Sequence, residues 1–455
     1  MSEDALNIDL EGKDIDIGRL LVNTDYDVKG YVQAKGHIGG SLYNPNFNGS
    51  VTSNFLTING EGITNISGTL YADTTVVNLE KFEFDEEQGG HYMARAGMST
   101  VGDKRLFGTL QVTNGRVSNL LSLLGKPVDK LDGSLSGTVD LGGTYGNPSL
   151  NVVGSIKDVT IDTKVVGDAK IDASLENRKF KIRTLKLPVD DGLIAAGGTV
   201  DLDGDADLQI AVRDVDIEPF LPLIGDNINA TGSITGVINM TGATQNPKVE
   251  LSASLANGSY NGIDIDQGFV LATMENHVIN VQRIQGVKED YKLSAYGKIP
   301  LAALYTTGYL DANDSKAMDM TIDFNEADMA VIPLITPTVK DATGALKGVV
   351  HVTGTIDQPE AYGTVSVRNG TMKIKNVGNE LKDIDGDLIF SGQQADFQSR
   401  ISAGKGTAGL AAKVNWTGHT MTSYRAAIQL DGLDLANEYI SGCLLYTSDA
   451  ADDGE

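Results

Sequence analysis

Between Gly133 and Gly143, the apolar or small residues Leu135, Gly137, Val139 and Leu141 alternate with Ser134, Ser136, Thr138 and Asp140. That two-residue period is the signature of a half-buried strand. The pattern recurs along the chain: Ile171, Ala173 and Leu175 run into Glu176-Asn177-Arg178, and Phe180, Ile182, Leu185 and Leu187 follow. Alternation punctuated by short polar turns predicts an all-β chain. It predicts six to eight strands in each stretch of about a hundred residues.

The stretches repeat. GYVQAKGHIGGSLYNP begins at Gly30, GSLSGTVDLGGTYGNP at Gly133, GSITGVINMTGATQNP at Gly232 and GALKGVVHVTGTIDQP at Gly344. Gly stands first, an aliphatic residue third, and Gly or Ala fifth (Ala34, Gly137, Gly236, Gly348). Gly returns at the eleventh position (Gly40, Gly143, Gly242, Gly354) and Pro at the sixteenth (Pro45, Pro148, Pro247, Pro359). Proline lacks an amide donor and holds the residue before it in extended conformation, so each proline is expected to restart the chain at the head of a strand.

A second landmark begins 12 or 13 residues before each copy: 120–124 (LLSLL), 220–224 (FLPLI), 331–335 (VIPLI), and more weakly 17–21. Apolar residues at i, i+1, i+3 and i+4 suit one face of a short helix. One short amphipathic helix per repeat is therefore expected. The implied units are 1–116, 117–216, 217–327 and 328–432, with a fifth starting at 433–442. From Cys443 onward the periodicity is lost and CLLYTSDAADDGE resembles the translation of a transposon-type sequencing adapter, so residues 443–455 are set aside as a non-native tail. About 28 strands spaced roughly 4.8 Å apart would make an elongated sheet of about 130 Å.

Composition narrows the function. The chain carries 36 Lys and Arg against 61 Asp and Glu, a net charge of −25 that repels a phosphate backbone and leaves nucleic acid an unsuitable partner. The one cysteine permits no internal disulfide, and no run of eighteen apolar residues occurs. No catalytic constellation emerges, so a non-enzyme without cofactor or metal is expected. Gly404 to Gly409 matches GxGxxG, yet 410–416 alternates as a strand and provides no helix N-terminus for a pyrophosphate. Asp201, Asp203, Asp205 and Asp207 lack the Gly and Glu of a calcium loop. The five histidines, His37, His91, His277, His351 and His419, have no ligand spacing.

The Gly-x-aliphatic-x-Gly strands, the Asn-Pro turn and the short apolar segment, at a hundred-residue period over residues 1–442, resemble the TamB family within the AsmA-like group of bacterial envelope proteins. The resemblance implies a long antiparallel-rich sheet, curled lengthwise into a trough with an apolar interior. It implies a periplasmic location with anchoring in the inner membrane of a Gram-negative-type bacterium, through a segment not contained in this sequence. It further implies phospholipid transport to the outer membrane, or assembly of β-barrel proteins with a BamA-like partner. A secreted adhesin or β-helical protein ranks last, because its shorter coil period is not seen. The residues support the trough independently, since each strand has one apolar face and no long connection is present to cover it. The candidates for contact with acyl chains are Val32, Leu135, Val139, Ile234, Ile238, Leu346 and Val350.

Overall fold

The computed structural model describes all residues except 1–4, 22–25, 129, 224–227, 261–262, 290, 305–314, 336–338, 376–379, 404–405, 419, 432, 437–440 and 445–455. The fold is all-β. Twenty-six strands belong to one antiparallel sheet, and Leu433–Ala436 pairs with Ser441–Leu444 in a separate two-stranded sheet. The large sheet is not closed into a barrel: among the described residues, Ile8–Asp16 pairs only with Val28–Gly40, and Thr420–Asp431 only with Gly406–Thr417.

The chain divides into two compact units, one of residues 1–228 with 239–245 and the other of 229–238 with 246–455. The first contains a thirteen-strand meander from Ile8–Asp16 to Asp205–Asp216, each strand pairing with the next. The second follows the same rule from Lys248–Tyr260 to Thr420–Asp431, with one variation. Val339–Thr343 and Leu346–Gly354 both pair with Pro359–Ile374, acting as two halves of one strand broken at Gly344.

The repeat signature has a backbone cause. Its first glycines, Gly30, Gly133, Gly232 and Gly344, have φ of 128°, 153°, 128° and 140°, and the eleventh-position glycines have φ of 86°, 78°, 82° and 81°. Side chains resist this region, so the spacing records where the strand must bend and where it must turn. The turn closes on the proline as expected: Gly40 pairs with Pro45, Gly143 with Pro148 and Gly354 with Pro359. At Gly354 an added Cβ would lie 2.4 Å from the carbonyl oxygen of Gln358. Gly354→Ala is therefore expected to cost about 1–3 kcal/mol, measured as a lower urea midpoint; an unchanged midpoint would refute this reason for the glycine.

The expectation of an amphipathic helix in every repeat is not met. Val117–Leu123 is a two-turn helix, whereas Ile17–Leu20 and Ile332–Ile335 are single turns, and Glu218–Leu223 is a 3₁₀ segment. Pro222 lies inside that segment, where its ring and missing amide disfavour a longer regular helix. A further turn, Leu301–Leu304, falls where no apolar landmark stood.

A second device was not anticipated. Asp14, Asn65, Asn114, Asp158, Asp214, Asn257, Asn369 and Asp383 all have φ between 47° and 53°. Each precedes a glycine or an aliphatic residue, and most of those are buried: Ile66, Gly115, Val159, Val215, Gly258, Gly370 and Ile384. Register shifts mark several of these positions as β-bulges, in which the left-handed Asx residue lets the strand kink and turn the next side chain inward. The buried cores gather here. One cluster contains Val32, Leu56, Ile63, Ile66 and Leu123, another Val159, Ile161, Val166, Val189 and Val215, and a third Met329, Ala342, Val367 and Ile384.

Candidate functional site

Directly opposed residues in an antiparallel pair point to the same face, so the strand registers can be followed from neighbour to neighbour across each unit. In the first unit one such row reads Gly12, Ala34, Val51, Gly68, Phe82, Ala94, Leu110, Val139, Val152, Ala173, Ile182, Gly198, Leu208. Thirteen strands contribute and none supplies a polar residue. The adjacent row, from Leu10 through Leu70, Leu79, Leu141, Leu150, Leu175 and Phe180 to Val200 and Ala206, is equally apolar. Twelve steps of about 4.8 Å carry each row roughly 58 Å along the sheet.

The opposite face differs in kind. Arg95, Thr109, Asp140, Asn151, Ser174, Lys181, Thr199 and Asp207 form one of its rows. The second unit repeats the apolar arrangement: Ala253, Val270, Ile284, Ala295, Ile322, Val350, Gly363, Phe390, Ala395, Val414 and Tyr424 stand opposite one another in turn.

Among the described residues the main packing is between strand neighbours, with short helical turns against strand ends. Burial is concentrated at the bulged margin and at a few row positions such as Ala173 and Ala206; most other row residues are half-buried, and Leu10 and Phe180 are 50% and 39% exposed. Contiguous apolar surface of this extent is a common mark of interaction sites in proteins generally.

The seven candidates from the sequence lie on the apolar side of their own unit but do not play one role. Val139 sits in the first apolar row, and Leu135 opposes Gly115 and Ile156 beside it; both are half-buried. Ile234 and Ile238 alternate with Gly236, which abuts Ala253, and Ile238 is 37% exposed. Val32, Leu346 and Val350 are buried in the marginal clusters. Leu346 also walls a cavity of about 370 Å³ in the second unit, together with Phe324, Met329, Met372, Leu388 and Phe397.

Polar groups are spent on structure. Glu86, 4% exposed, accepts hydrogen bonds from the Tyr92 hydroxyl at 2.5 Å and the Arg116 amide at 3.1 Å. Burial, and then the Glu86 carboxylate, push the Tyr92 hydroxyl far above its ordinary pKa, and Phe84 stacks on its ring at 4.6 Å. Asp328, 2% exposed, accepts from the Ala330 and Gly344 amides at 2.8 and 2.7 Å. His37 and His91 each bond an aspartate, Asp9 and Asp85, at 2.8 and 2.7 Å. The aspartates at 201–207 flank the hairpin between Gly192–Asp201 and Asp205–Asp216, where Asp203 pairs with Arg178. Among the described residues no group of His, Cys, Asp or Glu could hold a metal ion. Two residues of the GxGxxG match, 404 and 405, lie outside the described residues; the match runs into the strand Gly406–Thr417.

One titration is distinctive. The Thr75 hydroxyl and amide, followed by the Tyr71 hydroxyl, hold the Asp73 carboxyl down to about 2. A carboxyl with a depressed folded-state pKa stabilises fully above its unfolded value and loses that contribution as pH falls through the folded one. The turn around Asp73 is thus expected to hold at pH 5 and loosen between about 4 and 2, with the Asp73 carboxyl carbon titrating near the lower limit by NMR. A midpoint near 4 would contradict the assignment.

No protein-family model and no characterised protein matches the chain. The functional reading therefore rests on the repeat and on the face it builds.

Proposed function

We propose that this chain is a non-enzymatic, lipid-carrying segment of a TamB-like envelope protein. Its apolar face would hold phospholipid acyl chains as they pass between the inner and outer membranes across the periplasm. The observation that carries the proposal is the unbroken apolar row through thirteen strands of the first unit, matched by an eleven-strand row in the second. Contact along such a row contributes about 0.8 kcal/mol per buried methylene and has no direction, so a chain can slide from one strand to the next without a deep trap. The polar opposite face and net charge of −25 favour water on that side and disfavour an anionic membrane surface.

The test is extraction of the purified, folded chain followed by lipid mass spectrometry. Co-purifying phospholipid is expected, and a folded protein that carries none would defeat the proposal.

A second reading is a scaffold for β-barrel assembly with a BamA-like partner, in which a sheet edge templates a further strand. Crosslinks from that edge to barrel strands are expected on this reading. Crosslinks from the apolar face to lipid alone would count against it.

A further inference from the structure

We propose that the cavity of about 370 Å³ in the second unit is a fixed site for one unbranched alkyl tail, distinct in behaviour from the open rows beside it. The proposal rests on the lipid-carrying reading and deepens it by assigning one place where a tail stops.

Three observations choose the occupant. First, the walls are apolar throughout, including Phe324, Leu388, Phe390 and Phe397 with Met329 and Met372. An amide, hydroxyl or charge placed inside would lose its hydration without a partner, so the inserted part must be hydrocarbon. Second, the volume is at the lower end of small-molecule sites, which run from about 300 to 1,000 Å³, and is ample for one flexible chain. The two methionines supply unbranched, adaptable walls suited to a chain with many conformers. Third, Phe390 belongs both to the wall and to the apolar row running from Ala253 to Tyr424. A tail moving along the row therefore meets the cavity without crossing a polar barrier.

The site is built rather than incidental. Asp328 binds the Ala330 and Gly344 amides, and the Met329 amide donates to the Gly344 carbonyl at 2.9 Å, pinning Met329 beside the broken strand. Left-handed Asn369 and Asp383 kink two neighbouring strands and turn Gly370 and Ile384 inward at the same margin. The head of the molecule, whether a free carboxylate or a phosphate ester, would remain outside.

The sequence contains one tryptophan, Trp416, in the strand Gly406–Thr417 that also supplies Leu410 to the wall. The full chain, stripped of lipid, is titrated with cis-parinaric acid while energy transfer from Trp416 is followed, and lysophosphatidylcholine and diacylphosphatidylcholine serve as competitors. Saturation at one equivalent is expected, with displacement by the single-tailed competitor. Leu388→Phe and, separately, Met372→Phe, each checked by circular dichroism, should weaken the transfer signal at least about tenfold, whereas Thr138→Phe on the polar face of the first unit should not. Unchanged affinity in either folded cavity variant would overturn the site while leaving the lipid-carrying reading in place. If the wild-type chain binds neither probe nor phospholipid, both fall.

Discussion

The double substitution Val139→Glu, Ile182→Glu is expected to remove most phospholipid from the purified protein, at least about tenfold relative to wild type. Val139 and Ile182 belong to one apolar row and are separated in it by Val152 and Ala173. Each carboxylate would displace one or two methylenes from contact and bring water with it. A loss of about 0.8 kcal/mol per methylene compounds to tenfold or more over two sites. Both positions are half-buried and lie away from the marginal clusters, so the fold should survive. Thr138→Glu, one residue away on the polar face, should leave lipid content unchanged. Retention of lipid by the double variant would mean that the rows are not the contact surface.

Asp328→Ala is expected to have the largest effect on stability. The two amides it accepts, from Ala330 and Gly344, would be left in a nearly dry environment without a partner. Hydrogen bonds to an ionised acceptor contribute about 1.5–3 kcal/mol each, which points to a loss of about 3 kcal/mol after relaxation. Trp416 lies in the same unit, so its fluorescence should report an earlier unfolding transition in urea. Asp328→Asn keeps one acceptor and should recover about half of the loss. A transition unmoved by the alanine would show that Asp328 does not pin Met329 to the broken strand.

Much of the fold was legible because two signals are local. Alternation identifies strands irrespective of their partners, and the positions of Gly40, Gly143 and Gly354 opposite Pro45, Pro148 and Pro359 follow from turn chemistry within a few residues. The helical landmarks misled because paired aliphatics also occur where a chain only turns, and Pro222 disfavours the full helix that the spacing allows. The bulges went unread for a different reason. Counting by two assumes constant parity, and Asn114-Gly115 or Asp158-Val159 breaks parity with an inserted residue whose only cue is an Asx before a small or aliphatic side chain.

The candidate face was legible and its subdivision was not. Val32 and Leu135 both stand third in their repeats, yet Val32 is packed against Leu56 and Ile63 while Leu135 remains half-buried. That difference comes from neighbouring strands and the bulged margin, which are distant in sequence. The cavity was hidden for the same reason, since its walls come from strands spread between residues 324 and 410.

The central claim is that acyl chains lie on one face of the sheet. A photoreactive phenylalanine analogue placed at Val139, Val152 or Ile182 on the apolar face, and at Thr138, Val153 or Arg183 on the other, tests it directly. Val153 is apolar and 47% exposed on the polar side, which separates the effect of the face from that of residue type. Irradiation in cells should yield lipid adducts at the first three positions and none at the second three; adducts on both faces alike, or on neither, would contradict the account.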